Sequence, residues 1–201
     1  MKYKINSDGR IVALKSGVWG DVGTMGGFVE SEKNLSQTGD CWVYGHAWVS
    51  GNAKIFGDAK VFGNVWVSGR AQVSGNAWVF GNAKVSGDSK VSSNARVYGD
   101  ACVFEDACVY GDARVSGYVK VYNNACVSGR AQVSGNAMVT GYAKVTGHAW
   151  VFEYSRVSGN AKVSGNAKVS GYAKVFGTMQ ITQSYNSPVD IEELSDELVL
   201  L

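Results

Sequence analysis

Proline and leucine are nearly missing from the body of this chain. A single proline occurs in 201 residues, and no leucine lies between Leu35 and Leu194. Glycine (26 residues), valine, alanine, serine and asparagine take their place, a usage that speaks for many short strands and against helix as the main element. No stretch of about 18 apolar residues is present, which argues against a membrane-spanning helix, and the opening Met1-Lys2-Tyr3-Lys4-Ile5-Asn6 has no apolar run of the signal-peptide kind. The expected compartment is therefore the cytoplasm. Four cysteines, Cys41, Cys102, Cys108 and Cys126, are too few for a disulfide scaffold and are expected as reduced thiols. Histidine occurs only twice, which narrows acid–base and metal chemistry from the outset. The length suits one domain with small ends, and 45% hydrophobic against 18% charged residues suits a soluble chain with a real core.

What is abundant is a period of six. From Val43 to Ile181 an aliphatic residue recurs at every sixth position, 24 times, without an insertion. The commonest unit is Ala-Lys-Val-Ser-Gly-Asn, as at residues 161–166. Val and the Ala two before it alternate with outward residues, so both face inward on a short strand. The Gly-Asn or Gly-Asp pair that follows accepts left-handed backbone cheaply and makes a corner. Three strands of about four residues with two-residue corners close a triangular coil of 18 residues. The 24 hexads then make eight coils. At about 4.8 Å per coil this is an all-β parallel β-helix roughly 38 Å long. Each inward Val contributes roughly 1.5 to 3 kcal/mol of burial, largely offset by ordering the chain, so the array depends on neighbouring coils and on capped ends.

On these residues the chain resembles the hexapeptide-repeat family over 43–181, and that resemblance implies a left-handed parallel β-helix; the general crossover rule alone points to the right hand. The lead-in Gly26-Gly27-Phe28-Val29-Glu30-Ser31-Glu32-Lys33-Asn34-Leu35-Ser36, running into Gly39-Asp40-Cys41-Trp42-Val43, is similar to a group of phage and prophage repeat proteins without an assigned activity. It implies a viral or prophage origin.

Three segments follow: a cap over residues 1–40, the repeat over 41–182 and an acidic tail over 183–201. Tyr3, Ile5, Ile11 and Ala13 around Asn6-Ser7-Asp8-Gly9 read as a hairpin that closes the first coil. Ser187-Pro188 starts an expected short amphipathic helix with Asp190, Glu192 and Glu193 early and Leu194, Leu198, Leu200 and Leu201 as its apolar stripe. It serves as a cap on the last coil or as a docking tail. The net charge of +2 conceals an asymmetry: residues 41–181 carry 14 basic and 7 acidic side chains, and residues 182–201 carry five acids and no Lys or Arg.

Positions 18 apart stack on one face. The first face carries Trp42, Lys60, Trp78, Arg96, Arg114, Gln132, Trp150 and Lys168 in one column, and Tyr44, Phe62, Phe80, Tyr98, Ser116, Ser134, Phe152 and Ser170 in the other. Trp42, Tyr44, Phe62, Trp78, Phe80 and Tyr98, with Trp150 and Phe152 further along, form an expected interface of a few hundred Å², the size at which an exposed apolar patch marks a contact surface. The alternative is that a terminal segment covers this face as a satellite core. The third face, with Lys54, Lys90, Cys108, Cys126, Lys144 and Lys162 among Ser and Gln, is a sparse basic strip, too thin for a nucleic-acid footprint and read as solvated. Tyr118, Tyr154 and Tyr172 share one corner edge, where a tolerant exposed corner explains them.

Catalysis is not expected. The hexapeptide resemblance implies acyltransferase as the first enzyme to test, with a His general base in a walled cleft between subunits, but His46 and His148 sit at corners on different edges and no loop leaves the coil. Two distant histidines do not make a three-His zinc site. Cys108 and Cys126 stack in adjacent coils within disulfide range of one another and read as tolerated surface thiols. No cofactor, metal, nucleic acid or membrane partner is expected. The sequence points to a non-catalytic binding or structural rod, a dimer or trimer or the partner of another protein, with a phage antagonist of a host factor as the alternative.

Overall fold

The structure, a computed structural model, describes residues 1–183. The expected tail helix over 183–201 lies outside the described residues except for Gln183. Among the described residues there is no α-helix; one 3-10 turn spans Glu32–Asn34. The rest is a parallel β-solenoid of three sheets, two of eight strands and one of eleven, in which each strand of the repeat pairs with the strand three along the chain.

Most strands are two residues long, such as Trp48–Val49 and Lys54–Ile55, shorter than the four-residue sides expected from the hexad. The side of the triangle persists because hydrogen bonding does not stop where the regular strand does. Lys54 donates its N–H to Ala71 at 2.9 Å, Phe56 to Val73 at 3.1 Å and Asp58 to Gly75 at 2.9 Å, each reaching the carbonyl 17 residues on. Val–Val register between coils is unbroken from Val43↔Val61 to Val163↔Ile181. The inward Ala and Val positions are essentially fully buried along the whole rod. Where serine replaces alanine, at Ser89 and Ser155, the buried hydroxyl donates to the carbonyl three residues back, Ser86 at 2.7 Å and Phe152 at 2.8 Å, so neither hydroxyl is left unpaired.

The coil count is about nine, not eight. Strand β3 (Met25–Val29) pairs in parallel with Trp48–Val49, placing Phe28 on Trp48 and Val29 on Val49, and Leu35 bridges Ile55. Val29 and Leu35 are thus an extra partial turn, six residues apart like the hexads. Eight residues separate Leu35 from Val43, so the period is broken there by two, which hides this turn from the six-residue pattern. Strands β1 (Tyr3–Ile5) and β2 (Arg10–Ala13) form an antiparallel hairpin, and β2 continues antiparallel onto β3. The hairpin therefore extends the sheet of one face beyond its first coil.

This cap buries one residue the sequence places on an exposed face. Trp42 is 0% exposed. Trp19 stacks on it at 5.2 Å between centroids and Tyr3 meets it edge-on at 6.2 Å. Tyr3 is held by its hydroxyl, which donates to the Leu35 carbonyl at 2.6 Å, and burial pushes its ionisation well above the ordinary range. Lys2 is buried to 1% exposure, yet its ammonium donates to the carbonyls of Gly39 and Cys41, at 3.2 and 2.9 Å, and sits 5.2 Å from the Trp19 ring. A buried cation needs such partners. Trp19→Ala is expected to destabilise the protein by about 3 kcal/mol and to shift tryptophan emission to the red as Trp42 becomes wet, read by denaturation with fluorescence.

Corners impose the second constraint. Gly87 has φ +68°, and a Cβ there would lie 2.6 Å from the nitrogen of Glu105, whereas at Gly45, φ +62°, the nearest atom would be 3.9 Å away. Ala at either site suffers the left-handed penalty of about 1–2 kcal/mol. Gly87→Ala must also push neighbouring coils apart, so it is expected to lose measurably more stability than Gly45→Ala in denaturant titration. Glu105 itself is a non-glycine corner at φ +58° whose carboxylate accepts the N–H of Asn123 one coil on at 2.8 Å. That bond offsets the strain, so Glu105→Ala, which keeps the strain and loses the bond, is expected to unfold at lower denaturant than Glu105→Gly.

Candidate functional site: an aromatic surface around one edge

Stacking of equivalent residues along the rod turns the first face into a ladder. Phe62 and Phe80 are parallel at 4.9 Å, and Phe80 and Tyr98 at 4.8 Å, with interplanar angles of 3° and 2°. The spacing is that of the coils, so each ring covers its neighbour and all three are half-buried. Phe62 also meets Trp78 edge-on at 6.0 Å. Trp78 is sandwiched between Lys60 and Arg96, whose cationic groups lie 5.4 and 5.3 Å from its ring, and it is 37% exposed. Such cation–π contacts hold a large ring flat against a sheet without hiding it.

The structure separates the expected interface residues. Phe62, Trp78, Phe80 and Tyr98 form one cluster. Tyr44 lies beside it at the foot of the column, half-buried, its phenol pushed up by burial and then by Asp40. Trp42 lies under the cap and takes no part in the surface. Trp150 stands apart, 43% exposed beneath Lys168 at 5.3 Å, with Phe152 half-buried beside it. The terminal segment thus covers the first coil of the face and leaves the next three open.

Three further aromatics lie on the second face, across the corner from this cluster. Phe28 stacks on Trp48 at 5.3 Å with Arg10 at 5.1 Å over the Phe28 ring, and Trp66 follows in register with Trp48. Trp48 and Trp66 are 46% and 61% exposed. Only the corner, Gly63-Asn64 for example, and the inward Val65 separate the Phe62 column from the Trp66 column. The aromatic surface therefore wraps an edge of the prism. The same 18-residue sorting reaches Trp48 and Trp66, whereas Phe28 is displaced from it by the two-residue break before Val43.

Away from the aromatic surface, His148 lies in an open groove with Arg96, Asp112, Arg114, Arg130 and Trp150, and His46 takes no part in it. His46 and His148 are both exposed corner residues on different edges. Among the described residues no three His, Cys, Asp or Glu side chains gather as a metal-binding group, and no helix is long and apolar enough to cross a membrane. Corner amides form their own axial chains, Asn64 to Asn82 to Asp100 at 3.1 Å each, and Tyr154 stacks on Tyr172 at 5.1 Å. Arg70 and Asp88 form a bidentate pair at a neighbouring edge, exposed on both sides, which contributes little to stability.

No curated protein matches the chain in sequence. Two stretches, residues 71–87 and 131–147, match the family described as the YdcK Beta solenoid repeat. Each stretch is nearly one full coil, so the match and the geometry agree on a β-solenoid repeat protein.

Proposed function

We propose that this protein is a non-catalytic structural or binding rod whose edge-wrapping aromatic surface joins it to another protein surface, in the first instance a second copy of itself. The single observation that carries this reading is the exposure of Trp48 and Trp66 on one side of an edge and of Trp78 on the other, with Phe28 stacked on Trp48 and the Phe62, Phe80 and Tyr98 ladder beside Trp78. Aromatic side chains of this kind concentrate binding energy at interface cores, and soluble monomers rarely leave a contiguous patch of them open. Coil regularity helps: a surface of rings spaced by the ladder is rigid before binding, so little side-chain entropy is lost on docking.

A non-catalytic role is supported by the separation of the two histidines and by the lack, among the described residues, of any loop walling a cleft beside them. Cytoplasmic residence is supported by a cysteine count too small for a disulfide scaffold, and left-handed coiling by the hexapeptide-repeat resemblance. The similarity of the lead-in around Gly26–Ser36 to phage and prophage repeat proteins supports a viral or prophage origin, in which case a host factor is the alternative occupant of the same edge.

Light scattering over a range of concentrations tests the reading. The wild-type chain is expected as a dimer or trimer, and Trp66→Asp and Trp78→Asp are each expected to weaken association at least tenfold; Trp66→Asp, at the more open position, is expected to stay within about 0.5 kcal/mol of wild-type stability, whereas Trp78→Asp also loses its contacts with Lys60 and Arg96 and is expected to cost about 1–2 kcal/mol. An oligomer indifferent to both substitutions places the contact elsewhere and overturns the assignment of this edge.

A further inference from the structure

The third face carries a feature that the aromatic edge does not use. Cys108 and Cys126 are register partners on adjacent parallel strands, flanked in the same column by Lys90 below and Lys144 above. Both thiols are free and half-buried. Their backbones are held by ladder bonds, Cys108 to the Ala125 carbonyl and Cys126 to the Ala143 carbonyl, each 2.9 Å. Tyr110 projects from the neighbouring outward column of the same face. Its phenol is pushed up first by its contact with Cys126, while Ser128 opposes. Partial burial and then Cys126 push the Cys108 thiol up, and Lys90 opposes.

A rigid pair at this spacing suits one chemistry better than its competitors. In-register parallel neighbours about 4.8 Å apart lie within the Cα range of a disulfide but above its usual Cβ separation of about 3.5–4.5 Å, so forming one would draw the two strands together against the ladder bonds on both sides. A zinc site needs four donors, and no such group gathers among the described residues. A linear two-coordinate centre needs two thiolates only. With metal–thiolate bonds of about 2.3 Å, it spans about 4.6 Å, close to the ladder spacing. The register places the two side chains on the same outward face of adjacent coils. Soft thiolate donors suit Cu(I), zinc and iron–sulfur clusters, and zinc and the clusters call for four donors, which leaves Cu(I) for a pair.

We propose that Cys108 and Cys126 form a binding site for one Cu(I) ion, held linearly between the two sulfurs. On binding, both thiols lose their protons to solvent and each sulfur lends an electron pair to the metal, giving a bis-thiolate centre of net charge −1. Lys90 and Lys144 bracket that charge from the two neighbouring coils. Cys108 donates its thiol to the Asp106 carbonyl at 3.7 Å, a bond given up when the metal binds; Cys102, on a different face, makes the same kind of bond to the Asp100 carbonyl but has Lys84 and Lys120 as its register partners, and Cys41 is fully buried beside Lys2, so both stand outside the site.

The test uses the full chain under argon with ascorbate, titrated with Cu(I) held by a chromogenic chelator. One ion per chain is expected to be withdrawn from the chelator. Cys108→Ser and Cys126→Ser are each expected to weaken retention at least tenfold, and Cys102→Ser is expected to leave it unchanged. Bound Cu(I) is also expected to protect Cys108 and Cys126, but not Cys102, from maleimide labelling read by peptide mass, a readout that needs no variant. Retention that survives either serine substitution, protection of Cys102 to the same degree, failure to withdraw any copper, or a Cys108–Cys126 disulfide forming in air ahead of copper uptake each overturns the proposal.

Discussion

The axial hydrogen-bond ladder is the interaction on which the rest of this molecule depends. Outward residues along each side of the triangle donate their N–H to the carbonyl 17 positions later, and this repeats from the first coil to Lys162 and Ser164 near the last. It brings successive coils to within about 4.8 Å, which in turn decides what a corner can hold and what an exposed column looks like. A Cβ at Gly87 or Gly69 would press into the corner of the next coil, at 2.6 or 2.9 Å. The same closeness turns equal residues 18 apart into stacks, phenyl on phenyl and amide on amide.

A ladder of this kind has ends, and an open end exposes unpaired strand edges and an apolar cross-section. At the N-terminus the chain resolves this by adding a partial turn through Val29 and Leu35 and then reversing into an antiparallel hairpin. Asn34 shows how tightly this is done: fully buried, it donates to the carbonyls of Gly51 and Ala53 at 2.9 Å each, while its own side-chain carbonyl accepts from Ser31. Trp42 is the exception, since its indole nitrogen is buried without a partner. Its ring is packed between Trp19 and Tyr3, and that packing must outweigh the lost hydrogen bond.

The surface follows from the same geometry. Rings at ladder spacing cover each other, so Phe62, Phe80 and Tyr98 are half-buried without any cap, whereas Trp66, with Lys84 rather than a ring above it, is the most open of the tryptophans named in the site. Cations intercalate where rings alternate with Lys or Arg, as around Trp78. The resulting patch is flat on each face and bent at the corner, a shape suited to a broad protein contact and not to enclosing a small molecule.

Much of this is legible in the chain itself. Strand positions, inward residues, corners, the pairing of Cys108 with Cys126 and the aromatic column of the first face all follow from an uninterrupted period of six, because a two-residue slip would turn the valine ladder against the corners. Sorting by separate faces, however, divides a surface that continues across a corner, and so Trp48 and Trp66 fall outside the expected interface. Phe28, the ninth turn and the burial of Trp42 are hidden for another reason: they depend on two residues inserted between Leu35 and Val43 and on where a non-repetitive segment folds back. Local pattern determined the solenoid, since each hexad specifies its own strand and corner. Only the tertiary structure decided which face stays open, because covering it depends on contacts between Trp19, Tyr3 and Trp42 that no period encodes.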